Sequence, residues 1–524
     1  LLWAQNQPVK GKVLDEKTKE ALIGVSVLEA GSTSNGTVTD LDGNFSLSVP
    51  EGATLRISYV GYLVQEIPLN GRKSLEVLLK EDTEMLDEVV IVGYGVQKKA
   101  TLSGSVTSIG GEKLANTPVT NVSQGLAGRL PGVVAISNTA EPGYDGATIR
   151  IRGVNTFGKA DPLVVVDGVP GRSLERIDPS TIETMSVMKD ASAAIYGAQA
   201  ANGVIIITTK RGKKGKPTVN LSYNYGISRP TVIPEMANAS EYATLLNEID
   251  KYAGNKERYT PEDIQKYRDG SDPWSYPNTD WFKETLKPWS PQTYANATID
   301  GGTDNMTYFV SVSAKTQDGF YRNSGTKYNQ YDLKSNLDLK LNKYINLFMN
   351  LTGRMEDRKY PTRSSENIFR MLMRSKPNMP AYWPNGLPGP DIEFGDNPVV
   401  IATDATGYER DKRYILNGDF GVNINVPYVE GLTLKATASL DKNFRFRKIW
   451  QTPWTLYSWD GTSMDENNNP LLVEGKKGFS DPRLRESMED NQNILLSGII
   501  NYNRTFAENH SVNVLAGAER ITGK

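Results

Sequence analysis

The stretch TVNLSYNYGIS, residues 218–228, alternates apolar and polar side chains, a pattern that predicts a single strand. Every second residue from Val219 to Ile227 is apolar, and the residues between them are polar or glycine. Side chains of a strand point to opposite faces with period two, so one face is apolar and the other is polar. In a sandwich the apolar face would lie in the core, whereas in a membrane barrel it would meet lipid and the polar face would line a lumen.

The same alternation recurs along the rest of the chain. In YDLKSNLDLKLN, for example, Leu333, Leu337 and Leu339 are separated by charged or polar side chains. Strands are predicted near residues 218–228, 293–300, 306–316, 330–342, 344–356, 413–426, 431–447, 493–504 and 510–521. Their connections alternate between short and much longer ones, as periplasmic turns and external loops do in outer-membrane barrels. We therefore expect the apolar face of residues 218–228 to face lipid.

This strand count predicts only part of a barrel. Plugged transporters close with about 22 strands, and residues 216–524 supply about nine of them. The chain is therefore expected to be mainly β, to end in the first part of an antiparallel transmembrane β-barrel, and to be truncated at its C-terminus. Its first and last barrel strands would then have unpaired edges.

Composition argues against several classes of protein. The chain has 524 residues, a formal net charge of −2 and 38% hydrophobic residues, so bulk charge gives no reason to expect nucleic-acid binding. No apolar run approaches the ~18 residues of a transmembrane helix. The sequence has no cysteine, and its single histidine, His510, makes zinc hydrolase sites and Ser-His triads poor candidates. We expect no catalytic residues, no metal site and no cofactor.

The N-terminal part, residues 8–80, is predicted to be a small β-sandwich, because short strand-like runs are separated by frequent turns. Before it, residues 1–7 have the character of a signal-peptide remnant, which predicts export. Within it, TDLDGNF at residues 39–45 has the oxygen-rich spacing of a calcium loop. Asp-Gly between two alternating runs is also a hairpin turn, and we favour that interpretation because a calcium loop would need a late bidentate glutamate.

Residues 81–99, EDTEMLDEVVIVGYGVQKK, form a linker of different character. An acidic start leads to the apolar run Val89–Val92 and then to Gly93-Tyr94-Gly95. Such a segment could be a buried strand, or an exposed one that adds to the sheet edge of another protein. Residues 100–215 follow as a mixed α/β unit, with strand-like runs such as PLVVVDGVP and GVIIITTK.

Together these segments resemble the SusC/RagA type of TonB-linked outer-membrane transporter. Residues 8–80 are similar to the carboxypeptidase-regulatory-like domain, an accessory sandwich without peptidase residues. LDEVVIVGYG (86–95) is similar to the TonB box of the family. The motifs that are similar to its plug domain are NVSQGLAGRLPGV (121–133), IRIRGVNTFG (149–158), DPLVVVDGVP (161–170) and VMKDASAAIYGAQAANGVIIITTKRG (187–212). Siderophore receptors commonly have Lys-Gly-Pro where this chain has Lys189-Asp190-Ala191, which favours the SusC/RagA branch.

The resemblance implies an energised importer in the outer membrane and not an enzyme. A plug would block the barrel, long loops would face outward, and the N-terminal domain and box would lie in the periplasm. The inner-membrane protein TonB would pair as an added strand with the box residues Asp87, Glu88, Val89, Val90, Ile91, Val92, Gly93 and Tyr94. The resemblance also implies a SusD-like surface lipoprotein as partner. The expected substrate is an oligosaccharide, with a peptide as the alternative.

Two rival functions belong to other classes. One is an outer-membrane receptor that signals through its N-terminal domain, but residues 8–80 resemble the regulatory-like sandwich and not a transducer domain. The other is a secreted β-rich adhesin, which neither the alternating connections nor the plug motifs favour.

Two further groups of residues are candidates for contacts. Arg150 and Arg152 alternate with Ile149 and Ile151, so they are either the solvated face of a strand or, as the resemblance implies, charged contacts between plug and barrel. Tryptophans in the long connections could stack on sugar rings, pack against a partner protein or fill small cores within the loops. These candidates are Trp274, Trp281, Trp383, Trp454 and Trp459.

Overall fold

The computed structural model forms two compact units, Leu1–Val106 and Thr107–Lys524. It describes residues 6–16, 18–30, 35–50, 52–59, 62–80, 89–92, 95–98, 106–115, 121–137, 141–154, 158, 160–507 and 510–523. The expected signal-peptide remnant lies almost wholly outside these residues.

The first unit contains two packed β-sheets and a separate hairpin. Its strands are β1 (Asn6–Asp15), β2 (Ser26–Glu29), β3 (Gly36–Val38), β4 (Asn44–Pro50), β5 (Thr54–Ser58), β6 (Gln65–Pro68), β7 (Ser74–Leu79), β8 (Val89–Val92) and β9 (Gly95–Lys98). The sheet orders are β4-β1-β7 and β3-β2-β5-β6. In β4, Phe45, Leu47 and Val49 point into the shared core while the residues between them are exposed. This period-two burial gives the expected sandwich.

The turn at residues 39–45 differs from the expected hairpin. Asp40 accepts hydrogen bonds from the backbone N–H groups of Asp42 and Asn44, at 3.0 and 2.8 Å. Gly43 has φ 77°, a left-handed conformation that glycine adopts without strain. However, β3 and β4 belong to different sheets, so this tight turn carries the chain from one sheet to the other.

The second unit begins with a small mixed sheet of order β10-β15-β16-β13-β14 and a two-stranded ladder of β11 and β12. The strands are β10 (Val106–Gly110), β11 (Val133–Ser137), β12 (Ala147–Ile151), β13 (Leu163–Val166), β14 (Val169–Pro170), β15 (Ile182–Met188) and β16 (Val204–Thr209). Helix α1 is Gly111–Ala115, and 3-10 helices cover Gln124–Leu126, Pro179–Thr181 and Asp190–Ala200. A buried aliphatic cluster that includes Leu126, Ile182 and Ile205 holds these elements together.

A nine-stranded antiparallel sheet makes up most of the second unit, as the sequence predicted. Its strands, in spatial as well as chain order, are β17 (Gly215–Ser228), β18 (Ser290–Gly302), β19 (Met306–Asp318), β20 (Lys327–Lys340), β21 (Ile345–Tyr360), β22 (Gly407–Asn425), β23 (Leu432–Gln451), β26 (Arg483–Phe506) and β27 (His510–Gly523). Several extend beyond their predicted limits, because the backbone ladder continues into charged stretches such as residues 407–413, where alternation of apolar side chains stops.

The two faces of this sheet are inverted relative to a water-soluble protein. In β19, Ser311, Ser313 and Lys315 are buried, whereas Val312 between them is exposed. In β20, Leu333 is 52% exposed and its neighbour Lys334 is 6% exposed. The expected outward apolar face is therefore confirmed. In β17, at the edge of the sheet, the polar residues of the other face are exposed as well.

The connections between these strands alternate in length. Short ones cover residues 303–305, 341–344, 426–431 and 507–509, the last partly outside the described residues. Longer ones cover residues 229–289, 319–326, 361–406 and 452–482. Because neighbouring strands are antiparallel, the longer connections all leave from the same end of the sheet.

The longer connections have structure of their own. They contain helices α2 (Ala239–Tyr252), α3 (Pro261–Asp269), α4 (Trp281–Thr285), α5 (Ser365–Arg374) and α6 (Pro398–Ile401), and the hairpin of β24 (Trp454–Ser458) and β25 (Val473–Lys477). We call the buried cluster shared by these connections the loop core; it includes Phe282, Ile368, Met371 and Ile401.

Among the described residues, no helix combines the length and the apolar character that a membrane crossing requires.

Candidate functional site

The small mixed sheet of the second unit meets the polar face of the nine-stranded sheet through buried hydrogen bonds and ion pairs. At the turn between β13 and β14, Asp167 accepts hydrogen bonds from the N–H and hydroxyl of Thr209, at 2.9 and 2.8 Å. Lys334 of β20 places its Nζ 3.5 Å from the same carboxylate. Burial alone would raise the pKa of Asp167, but the Lys334 ammonium and the Thr209 hydrogen bonds together lower it below its ordinary value. This carboxylate is therefore held in its charged form.

The segment after β16 continues this contact. Asn336 of β20 donates to the Thr209 hydroxyl at 2.9 Å and to the Lys210 carbonyl at 2.7 Å. Arg211 then pairs with Asp338 at 2.6 Å. Gly212 lies directly on the backbone of Tyr308, so a side chain at this position would collide with β19. The chain thus leaves the small domain pressed against the sheet that it is about to join.

Arg172 makes the most extensive of these contacts. Its guanidinium lies 2.5 Å from Asp419 of β22 and 2.6 Å from Asp441 of β23. All three side chains are largely buried, with 10%, 3% and 19% of their surface exposed. Burial lowers the pKa of Arg172, but the hydrogen bonds to Asp441 and Asp419 raise this pKa by more than burial lowers it. The pKa of Arg172 therefore lies above its ordinary value. One cation therefore joins the small domain to two adjacent strands.

Arg176 and Asp178 extend the contact toward β18 and β20. Arg176 forms a buried ion pair with Asp145 at 2.5 Å and lies 4.7 Å from the ring centroid of Tyr328. The hydroxyl of Tyr294 donates to Asp178 at 2.6 Å. Cation–π contacts and charged hydrogen bonds are stronger when water is excluded, as it is here.

Residues 141–145 form a second contact, close to the long connections. The Tyr360 hydroxyl donates to the Pro142 carbonyl at 3.0 Å, and its ring stacks on Tyr144 with centroids 5.1 Å apart. Burial raises the pKa of Glu141, and a hydrogen bond with Ser365 offsets part of that rise, so the resulting pKa is about 7. Ser365 is the first residue of α5, so this contact links the small domain to the connection that carries the loop core.

The chemistry of this interface suits reversible attachment. Its bonds are polar and charged, and each can be exchanged for bonds to water at a modest net cost. A domain held in this way can be rigid at rest and can still be displaced without exposing a large apolar surface.

The two predicted contact residues, Arg150 and Arg152, have different surroundings in the structure. Arg150 pairs with Asp161 of the same domain at 2.5 Å, and its role in joining plug and barrel stays a prediction. Arg152 has φ 56° at the end of β12, and its backbone N–H donates to the Gly132 carbonyl at 3.0 Å. Its role in joining the two parts stays a prediction.

Three arginines that do join the two parts, Arg172, Arg176 and Arg211, were not predicted. A signal was available for two of them. Arg172 stands just after the strand-like run PLVVVDGVP, and Arg211 just after GVIIITTK. Charged residues at the ends of apolar strands are candidates for such contacts, whereas Arg150 lies within a strand whose apolar residues are already buried.

The candidate tryptophans divide into two groups, and the structure favours cores within the loops. Trp281 and Trp454 are buried in the loop core, and their indole N–H groups donate to the carbonyls of Lys376 and Gly395 at 2.8 and 2.9 Å. Trp274, Trp383 and Trp459 pack on one another with centroids 5.5 to 6.3 Å apart. Trp383 is buried, whereas Trp274 and Trp459 keep part of their surface exposed.

The predicted TonB box is described in part. Val89–Val92 form β8, which pairs antiparallel with Gly95–Lys98, from Val89 opposite Lys98 to Val92 opposite Gly95. Asp87, Glu88, Gly93 and Tyr94 lie outside the described residues. The backbone of Val89–Val92 is thus in the extended conformation that strand addition requires.

Two family models match the chain. Residues 98–204 match the TonB-dependent Receptor Plug Domain, and residues 9–91 match the CarboxypepD_reg-like domain. The first match covers most of the small domain that holds Arg172, and the second covers the N-terminal sheets.

Curated relatives and solved structures agree with these matches. The chain is 33% identical to TonB-dependent receptor SusC of Bacteroides thetaiotaomicron over 459 residues, which is 81% of this chain and 43% of that protein. It is 32% identical to TonB-dependent receptor P39 of Formosa agariphila over 94% of this chain and 44% of that one. The chain therefore spans less than half the length of these relatives.

The fold is also that of a solved transporter. The structure of the RagAB peptide importer in the 'open-open' state has a TM-score of 0.66 and 23% identity over 83% of this chain and 49% of that chain. Because the plug, the regulatory-like sandwich and the likeness to SusC all coincide in one chain, the chain belongs to the SusC/RagA type of TonB-dependent receptors.

Proposed function

We propose that the full-length protein imports a nutrient across the outer membrane, with energy supplied through TonB. One observation carries this proposal: the plug is held against the polar face of the nine-stranded sheet by charged and hydrogen-bonded contacts, chief among them that of Arg172 with Asp419 and Asp441. An outward apolar face suits the sheet to a membrane, and a polar inner face suits it to a water-filled path. No step in this function breaks a covalent bond.

The linker supplies the point at which force would act. In this proposal TonB adds a strand to the box, residues 87–94, and pulls on the chain that leads into the plug. The described part of the box, Val89–Val92, already has one edge paired within its own hairpin. The outer edge of β8 is the one to which a partner strand can add while this hairpin persists.

The substrate and the outer partner are the finer parts of the proposal. A surface lipoprotein of the SusD kind would cover the long connections, and an oligosaccharide or a peptide would be the cargo. The structured connections support a docking role, since helices and a shared loop core give them a fixed shape.

Growth of cells that carry the complete gene tests this proposal. Residues Asp87–Tyr94 are replaced by a Gly/Ser segment of equal length, and growth is compared on glycans and peptides, each as sole nutrient. The matched control replaces Glu81–Met85 in the same linker. We expect loss of growth on one substrate class for the box variant alone, with both proteins present in the outer membrane at normal amounts.

Unchanged growth of the box variant on a nutrient that requires the gene would refute energised import through this segment. Equal loss in both variants would show that the linker as a whole, and not the box, is needed.

A further inference from the structure

A cavity of about 810 Å³ lies among three of the longer connections, outside the contact between plug and sheet. It is lined by residues that follow β17, by α4 and the residues after it, by Arg322 between β19 and β20, and by the end of α5. Its volume is within the ~300–1,000 Å³ typical of small-ligand sites. Its lining includes neither the box residues 87–94 nor the residues that join plug and sheet.

The wall of this cavity is apolar and partly adaptable. Phe282, Leu286 and Leu372 form a buried base that belongs to the loop core. Met236 and Met373 stand at the opening with about half of their surface exposed. Methionine side chains are flexible and polarisable, so they can adapt to apolar groups of different shape.

The opening also carries an excess of positive charge. Lys283, Lys287 and Lys376 line the cavity, and in the described part of the chain none of them forms an ion pair. Arg322 is fixed at the same place, since its Nε donates to the carbonyls of Lys283 and Leu286 at 2.8 and 3.0 Å.

The other charged groups of the lining do not cancel this excess. Arg374 is already paired with Glu393 at 2.5 Å. The carboxylate of Asp280 accepts the Lys283 backbone N–H at 3.1 Å as the N-terminal cap of α4. Glu235 is the remaining acidic residue of the lining. Four cations therefore face two carboxylates, Glu235 and Asp280, which leaves a net positive charge at the opening.

We propose that this cavity binds a peptide that carries a carboxylate beside apolar side chains. The proposal rests on the import function above and names the cargo as an acidic, apolar peptide. Unpaired cations favour an anion, and an apolar wall favours aliphatic or aromatic groups next to it. A neutral sugar would instead bring many hydroxyl groups to this cavity. The side chains of Asn238, Thr279 and Ser375 in its lining are already hydrogen-bonded within the connections, and each unpaired buried hydroxyl would weaken binding.

Calorimetric titration of the purified full-length protein in detergent tests this assignment. The probes are a hexapeptide of leucine, phenylalanine and glutamate residues, its analogue with glutamine for glutamate, and maltohexaose. Both peptides are N-acetylated and C-terminally amidated, so glutamate is their only anionic group. We expect the acidic peptide to bind at least about tenfold more tightly than its glutamine analogue, and maltohexaose not to compete.

Two variants locate the binding. Lys283→Gln with Lys287→Gln is expected to weaken the acidic peptide about tenfold, because two partly exposed charge contacts are lost. The matched control, Lys251→Gln with Lys256→Gln, makes the same charge change in the same connection away from the cavity and should leave affinity unchanged. Met373→Glu should also weaken the acidic peptide, because it adds negative charge at the opening. Thermal unfolding checks that each variant is folded.

Each alternative outcome overturns the assignment. These outcomes are equal affinity for the two peptides, no binding of either peptide, competition by maltohexaose, or equal losses in the lysine variant and its control. The titration needs no TonB. If the titration shows no selective peptide binding while the box variant has a growth defect, only the cargo assignment is refuted. Selective peptide binding without that growth defect would refute only the energised import.

Discussion

Arg172 shows how much a single side chain contributes to the contact between plug and sheet. It lies in the plug, yet its partners Asp419 and Asp441 are 247 and 269 residues away in the chain. Both carboxylates are drawn toward one planar guanidinium, whose fork of N–H groups can bind two acceptors at once. Such a pair of acidic residues on adjacent strands would repel each other if the cation were absent.

Replacement of Arg172 by methionine is therefore expected to loosen the plug. Removal of one partner from a buried ion pair costs about 3–5 kcal/mol, because the other charge stays buried without compensation. Cells with the full-length variant should become sensitive to a large hydrophilic antibiotic that an intact outer membrane excludes. The control is Lys448→Met, which removes an exposed pair with Glu486 that is worth about 1 kcal/mol or less. Equal sensitivity of the two variants would contradict the role given to Arg172.

The raised pKa of Glu141 predicts that the stability of the folded protein depends on pH. Its pKa of about 7 in the folded protein lies above the ordinary value of 4.5 for glutamate. Between these two pH values the folded protein keeps a proton that the unfolded chain has released, so the free energy of unfolding falls as pH rises through this window. Each unit of pKa shift corresponds to about 1.4 kcal/mol.

Thermal unfolding of the full-length protein at pH 5 and pH 7.5 measures this effect. Glu141→Gln keeps the side chain neutral at both values, so its melting temperature should fall less between them than that of the unmodified protein. A parallel decline in the two proteins would show that other groups cause the pH dependence.

At the scale of elements, the strands and the alternating lengths of their connections were predictable, whereas the packing within the long connections was not. Residues 218–228 could be assigned to a strand because every second side chain is apolar, and that signal is local. The fold of the long connections depends on contacts between distant segments, such as Trp454 with Gly395, which no local pattern reports. For the same reason the tryptophan candidates could be named from the sequence, but sugar stacking, partner contact and a loop core could not be distinguished.

Trp454→Ala tests the importance of the loop core. Removal of a buried tryptophan side chain typically costs about 3–5 kcal/mol, and here a buried N–H partner is lost as well. We expect faster tryptic cleavage within residues 452–482 of the full-length protein. Trp289→Ala serves as the comparison, because Trp289 is 47% exposed and its loss should have a smaller effect. Equal cleavage rates would mean that Trp454 does not stabilise the connections.

At the scale of the whole molecule, the inversion of the nine-stranded sheet is its defining property. Alternation along each strand predicted which residues share a face, and the alternating lengths of the connections predicted that the apolar face is outside. The covering of the polar face by the plug agrees with that prediction. Lys334 and Leu333 illustrate the point, since adjacent residues of one strand meet a buried aspartate and the exterior respectively. The partners of Arg172 and Arg211 in the sheet could not be predicted, because they depend on the register between the plug and the sheet.

Leu333→Arg tests this inversion in the full-length protein. An arginine on the lipid face near the middle of a membrane strand costs about 2–4 kcal/mol, whereas an exposed leucine of a water-soluble sheet could be replaced within about 0.5 kcal/mol. We expect less folded protein in the outer membrane and a lower urea midpoint. Leu471→Arg, at an exposed leucine of a long connection, should change neither. A neutral effect of Leu333→Arg would place that face in water.

The strand order of the plug has a mechanical consequence. Among the described strands of the plug, β10 is the first after the linker, and it lies at the edge of its sheet with β15 as its neighbour. Tension on the linker would load this short strand before it reached Asp167 or Arg172, whose tethers lie farther along the chain. The plug would then give way by peeling in sequence and not by shearing as one block, so its rupture force would be set by its weakest edge. Optical-tweezer extension of the full-length protein would show this as a small early step before the main rupture, and a single step would exclude it.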